Sequence, residues 1–273
     1  MITSSIVTYN TKQDELERLI KCADLSIIDI IYIIDNSPTN LLKTFVQDLS
    51  LKIEYIFNNK NLGYGGAHNV GLQKSMELSA DYHIVLNPDI YFEPEVISTL
   101  KEYMDQDFNI GAIMPKIIYP NGENQYLCKL QATPFDLFGR RFLPFKSLVE
   151  KRNYKYELRP SGYDKVINVP CLSGCFMFLR VSILPEVGLF DDKFFMYCED
   201  FDFYKRIHQK YKTIYYPHVT IIHDHKKESY KNRKMMKMHI KSAIRYFNKW
   251  GWLIDRDRKK ANKTILNEIY KNK

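Results

Sequence analysis

Apolar runs that alternate with segments of helical spacing through the first 90 residues constrain this chain more than any other feature. Residues 4 to 9, Ser-Ser-Ile-Val-Thr-Tyr, predict a strand, and Lys12 to Asp24 carries Leu16, Leu19 and Ile20 at the spacing of a helix face. A second run, Ile27 to Ile34, stops at Asp35-Asn36-Ser37-Pro38, and a third, Ile53 to Phe57, stops before a glycine-rich loop. A helix over 67–78 then leads to a fourth run, Tyr82 to Leu86, which ends at Asn87-Pro88-Asp89. Strands separated by helices join one sheet through crossovers, and crossovers are right-handed. The pattern therefore predicts an α/β fold on a mostly parallel sheet flanked by helices.

The second half is less regular. Glu93 to Gln106 reads as a helix and Ile110 to Tyr119 as a strand. Residues 120–165 are rich in Pro, Gly and aromatics without periodicity, and irregular chain of that length is usually functional or mobile. Order resumes over Val166 to Leu179, with a short helix near Ser182 to Val187 and a last strand, Val219 to Ile222. At 273 residues, 45% of them hydrophobic, the chain can bury one large core or two small ones. No window approaches the roughly 18 consecutive apolar residues that span a bilayer, and the N-terminus lacks a secretory leader. A soluble, cytoplasmic chain is the expectation. Cys22, Cys128, Cys171, Cys175 and Cys198 show no zinc spacing and are odd in number, so they read as reduced packing residues.

Charge divides the chain. Residues 226–273 hold 16 Lys and Arg against 4 Asp and Glu, whereas residues 1–225 hold 24 against 28. The net charge of +8 therefore belongs to a basic tail. From Lys231 to Lys249 the tail places Met236, Ile240, Ala243, Ile244 and Phe247 on one helix face, with Lys234, Lys237, Lys241 and Arg245 off it and Trp250-Gly251-Trp252-Leu253 following. Such a basic amphipathic helix can lie on an anionic membrane, or dock on the main domain or on a second subunit, which would make a homodimer.

Ligands bind open α/β sheets beyond the carboxyl ends of the strands, and the polar groups of this chain gather there. Asp89, held by a proline-stiffened turn, suits a hard divalent cation; alone, the same turn is ordinary loop chemistry. Thr8-Tyr9-Asn10 and Asp35-Asn36 close adjacent strands, where Asp35 can accept the imino proton of a pyrimidine and Thr8 can reach a ribose or phosphate. Both motifs serve equally as helix caps. The loop Asn61-Leu62-Gly63-Tyr64-Gly65-Gly66-Ala67-His68-Asn69 is neither a Walker loop nor a GxGxxG fingerprint, yet its glycines let backbone amides approach an anion. In Phe194-Phe195-Met196-Tyr197-Cys198-Glu199-Asp200-Phe201-Asp202, carboxylates sit among aromatics, which raises their basicity and suits one to remove a hydroxyl proton. The same acids also suit a helix N-terminus. His223 follows the last strand and can either pack or complete a coordination begun by Asp89.

These pieces, together with Ile6-Val7-Thr8-Tyr9-Asn10 and Leu172-Ser173-Gly174-Cys175-Phe176-Met177, occur in an order that resembles the inverting glycosyltransferases of family 2, and most of all their rhamnosyltransferase-like branch. The resemblance spans residues 1 to about 225. It implies the Rossmann-like GT-A fold: a catalytic domain over 1–225, with a nucleotide-sugar half (1–118) and an acceptor half (119–225), followed by the basic helical tail (226–273). It implies that Thr8, Tyr9, Asn10, Asp35, Asn36, Asn61, Gly63, Gly65, Gly66, Asn69 and Asn87 bind a dTDP- or UDP-sugar. Asp89 and His223 would hold Mg²⁺ or Mn²⁺, Asp200 would be the general base, and Glu199 would bind the acceptor or assist. Many relatives carry Asp where this chain has Asn87, which leaves Asp89 as the single carboxylate ligand. The implied acceptor is a glycan or lipid-linked saccharide of cell-surface polysaccharide synthesis, met at the inner face of the membrane.

Two other classes compete. A sugar nucleotidyltransferase shares the core but needs a basic glycine-rich segment after strand one, where this chain has Thr8-Tyr9-Asn10-Thr11-Lys12. A nucleic-acid-binding module would use the tail and leave the carboxylates without purpose, so no nucleic-acid partner is expected.

Overall fold

The computed structural model describes residues 1–139, 146–225 and 233–271. The first part of the tail, including Lys226 and the expected helix start at Lys231, lies outside the described residues, as does 140–145 of the irregular stretch.

The chain opens as β1 (Ile2–Thr8), α1 (Gln13–Asp24), β2 (Ile30–Asp35), α2 (Lys43–Gln47), β3 (Ile53–Phe57), α3 (Tyr64–Glu77) and β4 (Tyr82–Leu86). It continues as β5 (Ile90–Tyr91), α4 (Glu95–Asp105), β6 (Ile110–Ile118), a π-helical turn (Phe135–Gly139) and α5 (Lys146–Tyr156). Then come β7 (Ile167–Asn168), β8 (Phe176–Arg180), α6 (Leu184–Val187), α7 (Glu199–His208), β9 (Lys212–His223), α8 (Arg233–Trp250) and α9 (Arg256–Lys271).

One sheet orders the strands β3-β2-β1-β4-β8-β6-β9-β5, with β7 also on β9. The expected parallel half is present: β3, β2, β1 and β4 pair in parallel, and Thr8 lies beside Asp35. Burial on both faces explains the continuous apolar runs of β2 and β4. Beyond β4 the sheet is mixed, because β8 runs antiparallel between β4 and β6. α1 packs through Leu16, Leu19, Ile20 and Ala23, the apolar face that its sequence declares.

Several boundaries differ from the sequence reading. α3 begins at Tyr64 rather than 67, so Gly65 and Gly66 form its first turn. The run Val166 to Leu179 splits into β7 and β8 around the Pro170–Cys175 turn. The stretch 120–165 contains α5, whose Leu148, Val149, Tyr154 and Tyr156 follow no helical period and so give no periodic signal; Arg152 ties it to the π-helical turn through both oxygens of buried Asp136, at 2.6 and 2.7 Å.

The tail folds back onto this core. Ala243, Tyr246 and Phe247 of α8 and Ile265 and Ile269 of α9 are buried in the same hydrophobic cluster as the sheet. Lys205 of α7 pairs with Asp255 in full burial, and Asp202 of α7 holds both Lys249 (2.7 Å) and the Trp250 indole N–H (2.8 Å). Ile244, expected on the apolar face, is 40% exposed. No helix among the described residues is long and apolar enough to cross a membrane.

Candidate active site

Asp89 meets His223 because of a two-residue strand, β5. Ile90 of β5 pairs with His223 at the end of β9, and the Asp224 amide donates to the Asp89 carbonyl at 2.9 Å. Asp89 Oδ1 thereby lies 3.3 Å from His223 Nε2, and both are buried atoms without a hydrogen-bond partner. His225, two residues along, brings its ring within 5.1 Å of His223. Ligand atoms of Asp89, His223 and His225 lie within 4.8 Å of one another, the one such cluster among the described residues. A carboxylate with imidazoles, holding two orphaned polar atoms face to face, fits a divalent cation such as Mg²⁺ or Mn²⁺.

Burial pushes Asp89 up, but the imidazole of His223 outweighs it and holds the carboxyl below its ordinary value. Burial pulls His223 down, yet Cys175 and Asp89 overcome it and push the imidazole up to about 10. Gln125 fixes the ring: its Oε1 lies 2.9 Å from His223 Nδ1 and its Nε2 donates to the His223 carbonyl at 2.7 Å. With Nδ1 so engaged, Nε2 is the nitrogen presented to Asp89.

The acidic pair opens α7. Tyr197 and Cys198 both adopt left-handed backbone, at φ of 69° and 65°, a strained approach that turns the chain into the helix. Ser242 of α8 donates to the Met196 carbonyl at 2.7 Å, and His239 packs on the Tyr197 ring, so the tail holds this segment. Asp200 accepts from the amides of Phe201 (2.9 Å) and Gly174 (3.2 Å). Burial raises it, with Lys129 and those amides opposing. Glu199 is buried with Oε2 unpartnered, and burial together with the charge of Asp200 drives it well above its ordinary value. Burial raises both members of the pair, and Glu199, which also feels the charge of Asp200, is pushed the further up.

The turn Ser173-Gly174-Cys175 joins the two sets of groups. Asp200 hangs on the Gly174 amide, so close that a side chain at 174 would begin 3.1 Å from the Asp200 Cβ. The Tyr64 hydroxyl donates to the Gly174 carbonyl at 2.6 Å and lies 3.1 Å from Asn87 Oδ1. The Asn87 amide donates to the Cys175 carbonyl at 2.9 Å. Asp200 thus bonds this three-residue turn directly, and Asp89 follows two residues after Asn87, whose amide bonds the same turn.

The glycine-rich loop is placed differently from the reading as an anion cradle. Gly63 has φ of +76°, a Cβ there would stand 2.2 Å from the Phe195 carbonyl oxygen, and the Tyr64 amide donates to that same oxygen at 2.9 Å. The Gly63 amide is taken by Asn61 Oδ1 at 2.9 Å, and a Cβ on Gly65 would lie 2.8 Å from Phe190 Cβ. Asn69 exchanges two hydrogen bonds with the Phe190 backbone, both at 2.9 Å. At these positions the residues dock the 190–195 segment, which leads to Glu199. Gly66 meets only Leu62, at 3.5 Å.

On the nucleotide side, Asp35 is fully enclosed, accepting from the Ser37 amide (2.9 Å) and the Tyr55 hydroxyl (2.6 Å). Asn36 clamps loops together through the Gly63 carbonyl (3.1 Å) and Asn58 (2.9 Å). Thr8 Oγ1 is buried without a partner, Asn10 is left-handed with its amide on Ser37, and Tyr9 is 55% exposed. Sequence reasoning missed the parts played by Gln125, Lys129, Tyr64 and His225. Only His225 left a signal, since alternate residues of an extended chain share a side.

The family model for glycosyl transferase family 2 matches residues 5–188. The chain is 26% identical over 200 residues to a low-salt glycan biosynthesis hexosyltransferase, Agl10, of Haloferax volcanii, covering 73% of this chain and 59% of that protein. It is 28% identical over 163 residues to an N-acetylglucosaminyl-diphospho-decaprenol L-rhamnosyltransferase of Mycobacterium tuberculosis, covering 54% of this chain and 50% of that protein. It is 26% identical over 221 residues to the rhamnosyltransferase WbbL of Escherichia coli K12, covering 78% and 79%. The chain thus spans 59% and 50% of the length of the first two relatives. Among solved structures, GalNAc-T7 with UDP, GalNAc and Mn²⁺ superposes with a TM-score of 0.60 at 18% identity, over 81% of this chain and 42% of that one. A mannosyltransferase from Pyrobaculum calidifontis with GDP-Man and Mn²⁺ gives 0.58 at 15%, over 89% and 64%. These neighbours share the GT-A architecture, and by sequence, with two thirds of its length matched, the chain belongs to glycosyl transferase family 2.

Proposed function

We propose that this chain moves a sugar from a nucleotide-sugar to a saccharide hydroxyl with inversion, and that Asp200 removes the hydroxyl proton. One observation carries the reading: a carboxylate made basic by burial bonds the turn Ser173–Cys175, and Asn87, two residues before the Asp89 of a carboxylate–imidazole cluster, bonds the same turn. Asp200 is held by two amides with its remaining lone pairs available to an incoming hydroxyl, while neutral Glu199 can donate to an acceptor oxygen. Asp89, His223 and His225 would hold the cation, which supplies charge to the departing diphosphate. Thr8 Oγ1 and the exposed Tyr9 ring offer contacts to the nucleoside, and Asp35 receives the base once the Tyr55 hydroxyl turns aside. Asn87, Asn61 and Gly66 line the diphosphate path. The donor half is 1–118 and the acceptor half 119–225.

The names of the curated relatives favour rhamnose or another hexose carried on dTDP or UDP. The decaprenol diphosphate in one of those names favours a lipid-linked saccharide acceptor at the inner face of a membrane. The test is turnover of several sugar nucleotides with an extracted lipid-glycan pool. Transfer by the wild type and its loss in Asp200→Asn support the reading; nucleotide release that is equal in both variants overturns it.

A further inference from the structure

The apolar side of α8 is consumed inside the protein, yet its opposite side carries a pattern of its own. Lys234, Lys237, Lys241, Ile244 and Asn248 follow at intervals of three or four residues, which at ~100° per residue confines them to a stripe about 80° wide. All five are exposed, and α8 contains no Asp or Glu. The stripe runs into the turn that Gly251 opens at φ +98°, where the Trp252 indole N–H donates to Asn248 Oδ1 at 2.8 Å. Leu253 and Ile254 then stand 89% and 84% exposed, beside Arg256, Lys259 and Lys260 at the exposed start of α9. Neighbouring aliphatic side chains this bare gain nothing from water, and the cations beside them select an anionic surface.

We propose that this stripe and turn seat on an anionic lipid bilayer, with Leu253 and Ile254 entering the headgroup boundary, Trp252 at its rim, and the lysines on lipid phosphates. A polyanion such as nucleic acid would engage the lysines and leave Leu253 and Ile254 in water, so the bilayer is the partner that uses both halves of the surface. The inference deepens the reading of a lipid-linked acceptor and rests on it for its purpose.

The full chain is sedimented with vesicles of phosphatidylglycerol and phosphatidylcholine, or of phosphatidylcholine alone, at low and high salt. Salt-sensitive binding to the anionic vesicles is expected. Lys237→Gln/Lys241→Gln weakens it about thirtyfold, and Leu253→Ser/Ile254→Ser about tenfold or more, both with unchanged Tm and unchanged heat-stabilisation by UDP or dTDP. Failure of the wild type to sediment with anionic vesicles overturns the surface. So does a serine variant that binds like wild type, or binding of single-stranded DNA that responds to the lysine pair but not to the serine pair. Vesicle binding without any nucleotide response or turnover sustains the surface and overturns the transferase reading alone.

Discussion

At Asp200, burial raises basicity while the Gly174 and Phe201 amides hold the carboxylate in place. Replacing it by Asn keeps the shape and removes the proposed base, so turnover should fall about 10²- to 10⁴-fold with nucleotide affinity nearly unchanged. A base works deprotonated; its folded value lies above 3.8, so activity is complete above that raised value and declines as pH falls through it. The acid limb of kcat/KM should therefore inflect above the ordinary aspartate range, and a limb at or below 3.8 would argue against desolvation. At His223, a cation taking Nε2 must displace a proton held up to about 10. Mn²⁺ affinity by calorimetry should thus climb with pH through neutrality, about tenfold per unit, and a flat profile would remove His223 as a ligand. Gln125→Ala should weaken Mn²⁺ about 10- to 100-fold with unchanged Tm, and Gln125→Glu, which can still accept from Nδ1, should recover most of it. Asp89, Asp200 and His223 were legible because each stands at the end of an apolar run or among aromatics. Gln125 was not: its partner lies 98 residues away, and no local pattern announces such a contact.

Among the elements, the start of α3 shows what composition conceals. Three glycines read as loop, but Gly63 supplies a left-handed turn against a backbone carbonyl and the helix begins one residue later. Gly63→Ala should destabilise the protein by about 1–3 kcal/mol from the backbone conformation alone, with the contact on Phe195 adding to it. Urea unfolding measures the loss, and a variant as stable as wild type would contradict the close approach. The parallel strands were readable because burial on both faces makes apolar runs. β7 and β8 were not separated because Val166 to Leu179 is apolar on both sides of its turn, and α5 escaped because its few apolar residues, buried Tyr156 among them, do not recur at helical spacing.

For the whole molecule, the sequence leaves the basic tail either on a membrane or docked on protein, and the structure packs its helices α8 and α9 into the core. Removing one partner of a buried ion pair leaves an uncompensated charge, so Asp255→Ala, which strands Lys205, should cost about 3–5 kcal/mol. A chain ended at His225 should show a lowered Tm or loss of cooperative unfolding by calorimetry, since it bares the contacts of Tyr246 and Phe247 and releases Met196 from Ser242. An equally stable, active truncation would show that residues 1–225 stand alone.

The turn at 173–175 has a consequence for change over time. Tyr64 reaches it across 110 residues of chain and Asp200 across 26, yet they attach to the same residue, Tyr64 at the Gly174 carbonyl and Asp200 at the Gly174 amide. The spacing of these two anchors is therefore set by main-chain covalent geometry at Gly174, which side-chain replacement does not alter. Side chains around the turn can be exchanged while Tyr64 and Asp200 keep their separation.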